Sequence, residues 1–258
     1  MTVAADGRSV DVGEARRFAA QAEAWWDAEG PFRPLHKLNP ARLDFIRRVL
    51  LRRFSRDATD LRPFSGLDVL DLGSGGGLVA EPLARLGARV TGADVAEETV
   101  AAARLHAQQM GLDICYRCAT AEDLAAGGDD FDAVLALEVL EHCADVEAFL
   151  GACRALVRPG GVFVFSTLNR TAKSFLLGVL AAEHVLRWVP QGTHDWNRFL
   201  TPDETRALLA AADFRCGGME GLVYDACADR WRLGHDLSVN YIGWAEPSSG
   251  LGGGAGGD

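Results

Sequence analysis

The chain has 258 residues, 48% of them hydrophobic, enough to bury one substantial core, and a single domain is expected. A formal net charge of -10 argues against the clustered basic surface that a phosphate backbone demands, so nucleic acid is not an expected partner. Residues 1–11 lack the basic flank and apolar run of a secretory signal, and no apolar stretch reaches roughly 18 residues, so the chain reads as cytoplasmic.

Residues 1–12 are polar and expected to be flexible. In residues 13–28, Phe18, Ala22, Trp25 and Trp26 fall at helical spacing, an amphipathic helix that Pro31 and Pro34 should end. A second helix is expected over residues 40–54, with Pro40 in its first turn and Leu43, Ile46, Val49 and Leu50 on one face. From Leu67 onward short apolar runs at 68–72, 89–93, 114–118, 133–137 and 162–167 alternate with helical stretches at 78–86, 97–110 and 146–157. That alternation implies βαβ units and a parallel sheet covered on both faces. Arg158-Pro159-Gly160-Gly161 should stop the last helix and turn into the fifth strand.

Of the six cysteines, spread through a large domain and expected to be free, Cys115 and Cys118 form a lone C-x-x-C. With no second pair to complete a zinc site, they read as buried core thiols. Residues 169–198 are long for an α/β connection and rich in Leu, Phe and Trp, the mark of an insertion. Thr201-Pro202-Asp203-Glu204 opens a further helix, and strand-like stretches at 221–224 and 239–244 bring the count to seven. The expected fold is α/β: a doubly wound, seven-stranded, mostly parallel, Rossmann-like sheet with N-terminal helices (13–60) and an inserted helical segment. One domain would span 13–247, and the Gly-rich residues 248–258 would be a disordered tail.

Asp71-Leu72-Gly73-Ser74-Gly75-Gly76-Gly77 stands at the end of the first parallel strand, where ligands bind in such sheets. A dinucleotide fingerprint wants G-x-G-x-x-G, but the sixth position here is Leu78, so a dehydrogenase reading weakens. The D-x-G-x-G-x-G run resembles the first motif of class I methyltransferases. Asp94, at the end of the second strand, is placed to accept ribose hydroxyls. Thr120-Ala121-Glu122-Asp123-Leu124 resembles the segment that borders adenine in that class, and Leu137 would line the same pocket.

The flanks narrow the resemblance. Trp25-Trp26-Asp27, the run from Gly30 through Pro31, Phe32, Arg33 and Pro34 to Asn39-Pro40, and Arg42-Leu43 look like the N-terminal signature of the ubiquinone biosynthesis O-methyltransferases. So do Glu138-Val139-Leu140-Glu141-His142, Ser166-Thr167-Leu168-Asn169-Arg170, Gly192-Thr193-His194-Asp195 and Val239-Asn240-Tyr241. The likeness runs from Phe18 to Trp244, with one departure: Ser74 stands where relatives usually carry cysteine. It implies S-adenosylmethionine as methyl donor and S-adenosylhomocysteine as product. By the same resemblance Arg42, Gly73, Gly75, Asp94, Ala121 and Leu137 fall on cofactor-contacting positions, with Arg42 reaching the methionine carboxylate. The acceptors it implies are the phenolic hydroxyls of 3-demethylubiquinol and 2-polyprenyl-6-hydroxyphenol.

A phenol with a pKa near 10 must lose its proton before it attacks a methyl group. Glu138, Glu141 and His142 follow the fourth strand, and in a helical turn their spacing would set all three on one face. Two carboxylates with an imidazole suit a divalent ion such as Mg2+, as the relatives imply; alternatively His142 alone is the general base and the glutamates cap or pair. Polyprenyl precursors reside in the bilayer. Phe175, Leu176, Leu177, Val179, Leu180, Val185, Leu186, Trp188 and Val189, flanked by Lys173 and Arg187, suit an interfacial helix on an anionic membrane, or else a lid packed on the core. This would hold the protein peripherally on the inner face of the cell membrane, beside other ubiquinone biosynthesis proteins. His194 and Asn240 either face the acceptor or serve structure. Two rival readings stay open: a methyltransferase for another small phenol or carboxylate, and a noncatalytic cofactor-binding member of a biosynthetic complex.

Overall fold

In the computed structural model, which describes residues 25–174 and 196–248, the apolar runs after residue 67 become strands flanked by helices. In chain order the elements are α1 (Arg33–Arg53), β1 (Asp68–Leu72), α2 (Ala80–Arg85), β2 (Arg89–Asp94), α3 (Glu97–Gln109), β3 (Ile114–Cys118), α4 (Ala121–Ala126) and β4 (Phe131–Leu137). There follow α5 (Val146–Leu156), β5 (Val157–Leu168), α6 (Pro202–Ala211), β6 (Phe214–Asp225), β7 (Arg230–Gly234) and β8 (Asn240–Pro247).

The strands form one sheet in the order β3-β2-β1-β4-β5-β8-β6-β7. β1 pairs in parallel with both β2 and β4, and β4 with β5, while β8 runs antiparallel between β5 and β6. The chain therefore winds outward in one direction from β1 through β2 to β3 and resumes on the other side at β4. The crevice between the carboxyl ends of β1 and β4 is the switch point at which such sheets bind ligands. Two apolar layers fix the sheet in place: Phe45, Ile46, Leu50, Leu83, Val100, Val162 and Val164 on the α1 side, and Leu124, Leu150, Leu156, Phe163, Phe165, Leu209 and Tyr241 on the other. Successive residues of β5 thus serve opposite layers, as strand geometry requires.

Several expectations are corrected. Among the described residues the sheet has eight strands, because Arg230–Gly234 adds an edge strand to β6. Its Arg-Trp-Arg-Leu-Gly sequence puts only Trp231 and Leu233 on the core side, too short an apolar alternation to announce a strand. α1 begins at Arg33 rather than Pro40: Pro34 occupies the first turn, where no N–H is needed, and the helix runs on through Pro40. Burial of Leu38, Ala41, Phe45, Ile46 and Leu50 along one face outweighs the single hydrogen bond that Pro40 omits. Of the helix expected at 13–28, residues 25–28 are turn rather than helix and the remainder lie outside the described residues. Arg158 to Gly161 do not precede the fifth strand but form a bulge in it, the pairing jumping from Phe131 opposite Val157 to Ala133 opposite Val162, with Gly160 at φ +81°. Cys115 and Cys118 are exposed free thiols, not core ones, because β3 is the sheet's edge.

Candidate active site

At the end of β1 the backbone turns through left-handed conformations at Gly73 (φ +67°), Gly75 (φ +52°) and Gly77 (φ +90°). Space as well as torsion demands glycine. A Cβ on Gly73 would lie 2.6 Å from Val139 Cγ2, and one on Gly75 2.6 Å from the Trp25 ring, which stacks on Phe32 at 3.8 Å. Asp94, ending β2, ties the loop down: its carboxylate accepts the N–H of Gly75 and that of Ala96, each at 3.0 Å. Burial nevertheless raises its pKa. Both oxygens keep a lone pair, so a ribose hydroxyl has an acceptor there. The Asp94 carbonyl accepts the N–H of Ala119, two residues before the buried Ala121 opens α4 under its Thr120 cap.

Beneath this loop polar atoms converge without hydrogen-bond partners: Arg42 Nε and Nη2, Asp71 Oδ2, Ser74 Oγ and Tyr116 Oη. Arg42 comes from α1 and is 5% exposed. Burial pushes the Asp71 carboxyl up to about 7, the Arg42 charge pulling it down and the Asp94 charge pushing it up. Buried polar groups in native proteins are as a rule satisfied. A guanidinium and a carboxyl group with hydrogen-bonding capacity left over, beneath a glycine loop, fit the charged amino-acid end of S-adenosylmethionine.

At the end of β4 the Glu138 to His142 segment is not the single helical face expected. Glu138 adopts φ +56°, and only Leu140–His142 form a 3-10 turn. The Glu138 N–H donates to the Ser166 carbonyl (3.0 Å) and to Ser166 Oγ (3.1 Å), whose hydroxyl donates back to Glu138 Oε1 (2.8 Å). Arg42 Nη2 stands 3.3 Å from the same oxygen. Glu141, 3% exposed, takes the Thr167 hydroxyl on Oε2 at 2.7 Å, and its Oε1 has no partner. Burial pushes this carboxyl up to about 7, the Glu138 charge adding to the rise and His142 opposing it. The donor types and the unpaired Oε1 fit a hard cation, yet among the described residues no three such groups gather around one point.

Leu137, 8% exposed, ends β4 opposite Ser166, and Asn240 is buried with Oδ1 unpaired. His194 and the apolar stretch from Phe175 to Val189 lie outside the described residues. The flanks of that stretch stand together, the Trp196 indole donating to the Thr171 carbonyl at 3.1 Å. Lys173 is engaged with Asp236 at 2.6 Å. No described helix is long and apolar enough to cross a membrane. Sequence reasoning placed Trp25, Ser166 and Thr167 in motifs of the resemblance but gave them no part in the site; period-two alternation on β5 separates the two hydroxyls, but their partners come from a distant turn.

A family model described as a methyltransferase domain matches residues 70–165. The ubiquinone biosynthesis O-methyltransferase of Dinoroseobacter shibae is 51% identical over 236 residues, 91% of this chain and 95% of the relative. Its namesake from Mesorhizobium japonicum is 46% identical over 241 residues, 93% and 97% of the two chains. Among solved structures, a S-adenosylmethionine-dependent methyltransferase from Clostridium acetobutylicum aligns with a TM-score of 0.59 at 14% identity, covering 90% of this chain and 98% of that one. Magnesium protoporphyrin IX methyltransferase from Synechocystis, with S-adenosylhomocysteine bound, aligns with a TM-score of 0.58 at 21% identity, covering 92% and 93%. At those identities the likeness speaks for the fold alone.

Proposed function

The chain belongs to the family of ubiquinone biosynthesis O-methyltransferases, and from that premise we propose that it methylates the phenolic hydroxyls of 3-demethylubiquinol and 2-polyprenyl-6-hydroxyphenol. It is a S-adenosylmethionine-dependent methyltransferase. The observation that carries the reading is the contact of Val139 with Gly73, which sets the Glu138 to His142 turn directly against the glycine loop. Cofactor loop and acid-base groups then share one crevice.

Bound S-adenosylmethionine supplies an electrophilic sulfonium methyl. Arg42 and Asp71 would hold its amino-acid end, Gly73 and Gly75 expose backbone to it, and Asp94 accepts from the ribose, with Ala121 and Leu137 beside adenine. His142, half-buried, takes the phenol proton. The adjacent Glu141 charge stabilises the imidazolium that results, the reciprocal of the pull that His142 exerts on the Glu141 carboxyl. In the alternative, Mg2+ held by Glu138, Glu141 and His142 would itself acidify vicinal hydroxyls, the imidazole lone pair then being spent on the metal rather than on the phenol proton. Exhaustive chelation is expected to cut turnover and added Mg2+ to restore it; turnover indifferent to chelation removes the metal from this reading.

The acceptor's prenyl tail accounts for the insertion. We assign residues 173–195 to contact with anionic lipid on the inner face of the cell membrane, where other ubiquinone biosynthesis proteins would work on the same precursors. Because Lys173 already pairs with Asp236, apolar burial rather than that cation carries the contact. Vesicles containing anionic lipid should float the full chain and not a variant lacking residues 175–195; equal flotation of both refutes the assignment. Profiling acceptors with and without the tail separates this reading from methylation of another small phenol.

A further inference from the structure

Ser166 and Thr167 are adjacent on β5 and wholly buried. Strand geometry sends their side chains to opposite faces of the sheet, Ser166 in step with Val162 and Val164 of the α1-side layer and Thr167 with Phe163 and Phe165 of the other. Each hydroxyl meets a different carboxylate of the turn after β4: Ser166 reaches Glu138 at 2.8 Å and Thr167 reaches Glu141 at 2.7 Å. We propose that Ser166 and Thr167 are positioning residues for methyl transfer, one hydroxyl fixing each carboxylate beside the reacting oxygen. This rests on the reading of Glu138, Glu141 and His142 given above.

Ser166 closes a ring. Its Oγ accepts the N–H of Glu138 while its O–H donates to the same residue's carboxylate, and its carbonyl takes that N–H as well. Glu138 needs such a clamp, because a non-glycine residue at φ +56° persists only where its surroundings over-determine it. So clamped, its carboxylate is aimed at Arg42. Thr167 acts by subtraction. A buried carboxylate with both oxygens unsatisfied would be free to turn toward any donor; with Oε2 committed to Thr167, Oε1 alone remains available. The titratable groups that act on Glu141 include Glu138 and His142 from its own turn and Tyr241 from β8.

The test is steady-state kinetics on the full chain with Thr167→Val, which keeps the side chain's shape, Thr167→Ser, which returns the hydroxyl, and Ser166→Ala. Thr167→Val should lower kcat by roughly tenfold to 100-fold, the range expected when a catalytic group is displaced. The KM for S-adenosylmethionine should stay within about twofold, since the cofactor end is untouched. Thr167→Ser should recover most of the loss, and Ser166→Ala should lower kcat in the same way as Thr167→Val. A purely structural role would lower the melting temperature and leave kcat intact, which overturns the proposal. So does a Thr167→Ser variant as impaired as Thr167→Val. Should Thr167→Val fail to fold, Thr167→Ser and Ser166→Ala decide: wild-type kcat in Ser166→Ala sinks the idea. Wild-type protein that binds S-adenosylmethionine but methylates no phenol overturns the functional reading itself, and this inference with it.

Discussion

At the carboxyl end of β1 the site is made of backbone: Gly73 and Gly75 bend where a side chain would collide with Val139 or Trp25, and Asp94 locks the loop by accepting main-chain N–H groups. At the carboxyl end of β4 it is made of side chains, two carboxylates held by hydroxyls and by Arg42, one of them buried enough to titrate near neutrality. A backbone cradle holds a ligand of fixed shape and tolerates no added atom. A carboxylate cluster tolerates shape changes but answers to charge.

That contrast can be broken at four places. Removing charge at the second end costs most: Glu141→Gln should lower kcat by about 100-fold or more and leave cofactor affinity unchanged by calorimetry, as expected for a group in the proton-transfer apparatus. Adding one methyl group at the first end should do the reverse. Gly75→Ala combines a left-handed torsion with a clash against Trp25, and should weaken S-adenosylmethionine binding by roughly 50-fold. Arg42 spans both ends, so Arg42→Lys, which keeps charge and loses the planar fork, should weaken cofactor binding about tenfold and also lower kcat through Glu138.

The fourth effect is on stability rather than on activity. The Asp71 carboxyl is pushed up to about 7 in the folded chain from an ordinary value near 4. The folded state therefore holds that proton more tightly than the unfolded one, and the associated stability is complete at low pH and lost as pH rises toward 7. Asp71→Asn cannot lose it. Relative to wild type it should gain on the order of 3 kcal/mol between pH 5 and pH 8 in denaturant titrations, and a pH-independent difference would refute the burial account.

The same contrast explains what the sequence disclosed. Glycine spacing, strand-end acids and the α/β alternation are local and leave a local trace, so β1 to β5, the loop from Gly73 to Gly77 and Asp94 were all legible. The turn after β4 was not: i, i+3, i+4 spacing describes a helix, and Glu138 leaves helical space because Ser166, from the next strand, holds it there. Nor could Trp25 be placed over Gly75, since a helical pattern says which residues share a face but not what covers them. β7 escaped because an edge strand with one hydrogen-bonded neighbour needs no continuous apolar run.

The central claim is that both ends serve one reaction. Its most direct test is transfer of an isotopically labelled methyl group from S-adenosylmethionine to a short-tail 3-demethylubiquinol under reducing conditions, read by mass spectrometry. The account predicts a singly methylated product that depends on Glu141 and on the intact glycine loop. Cofactor binding without a methylated phenol would contradict it.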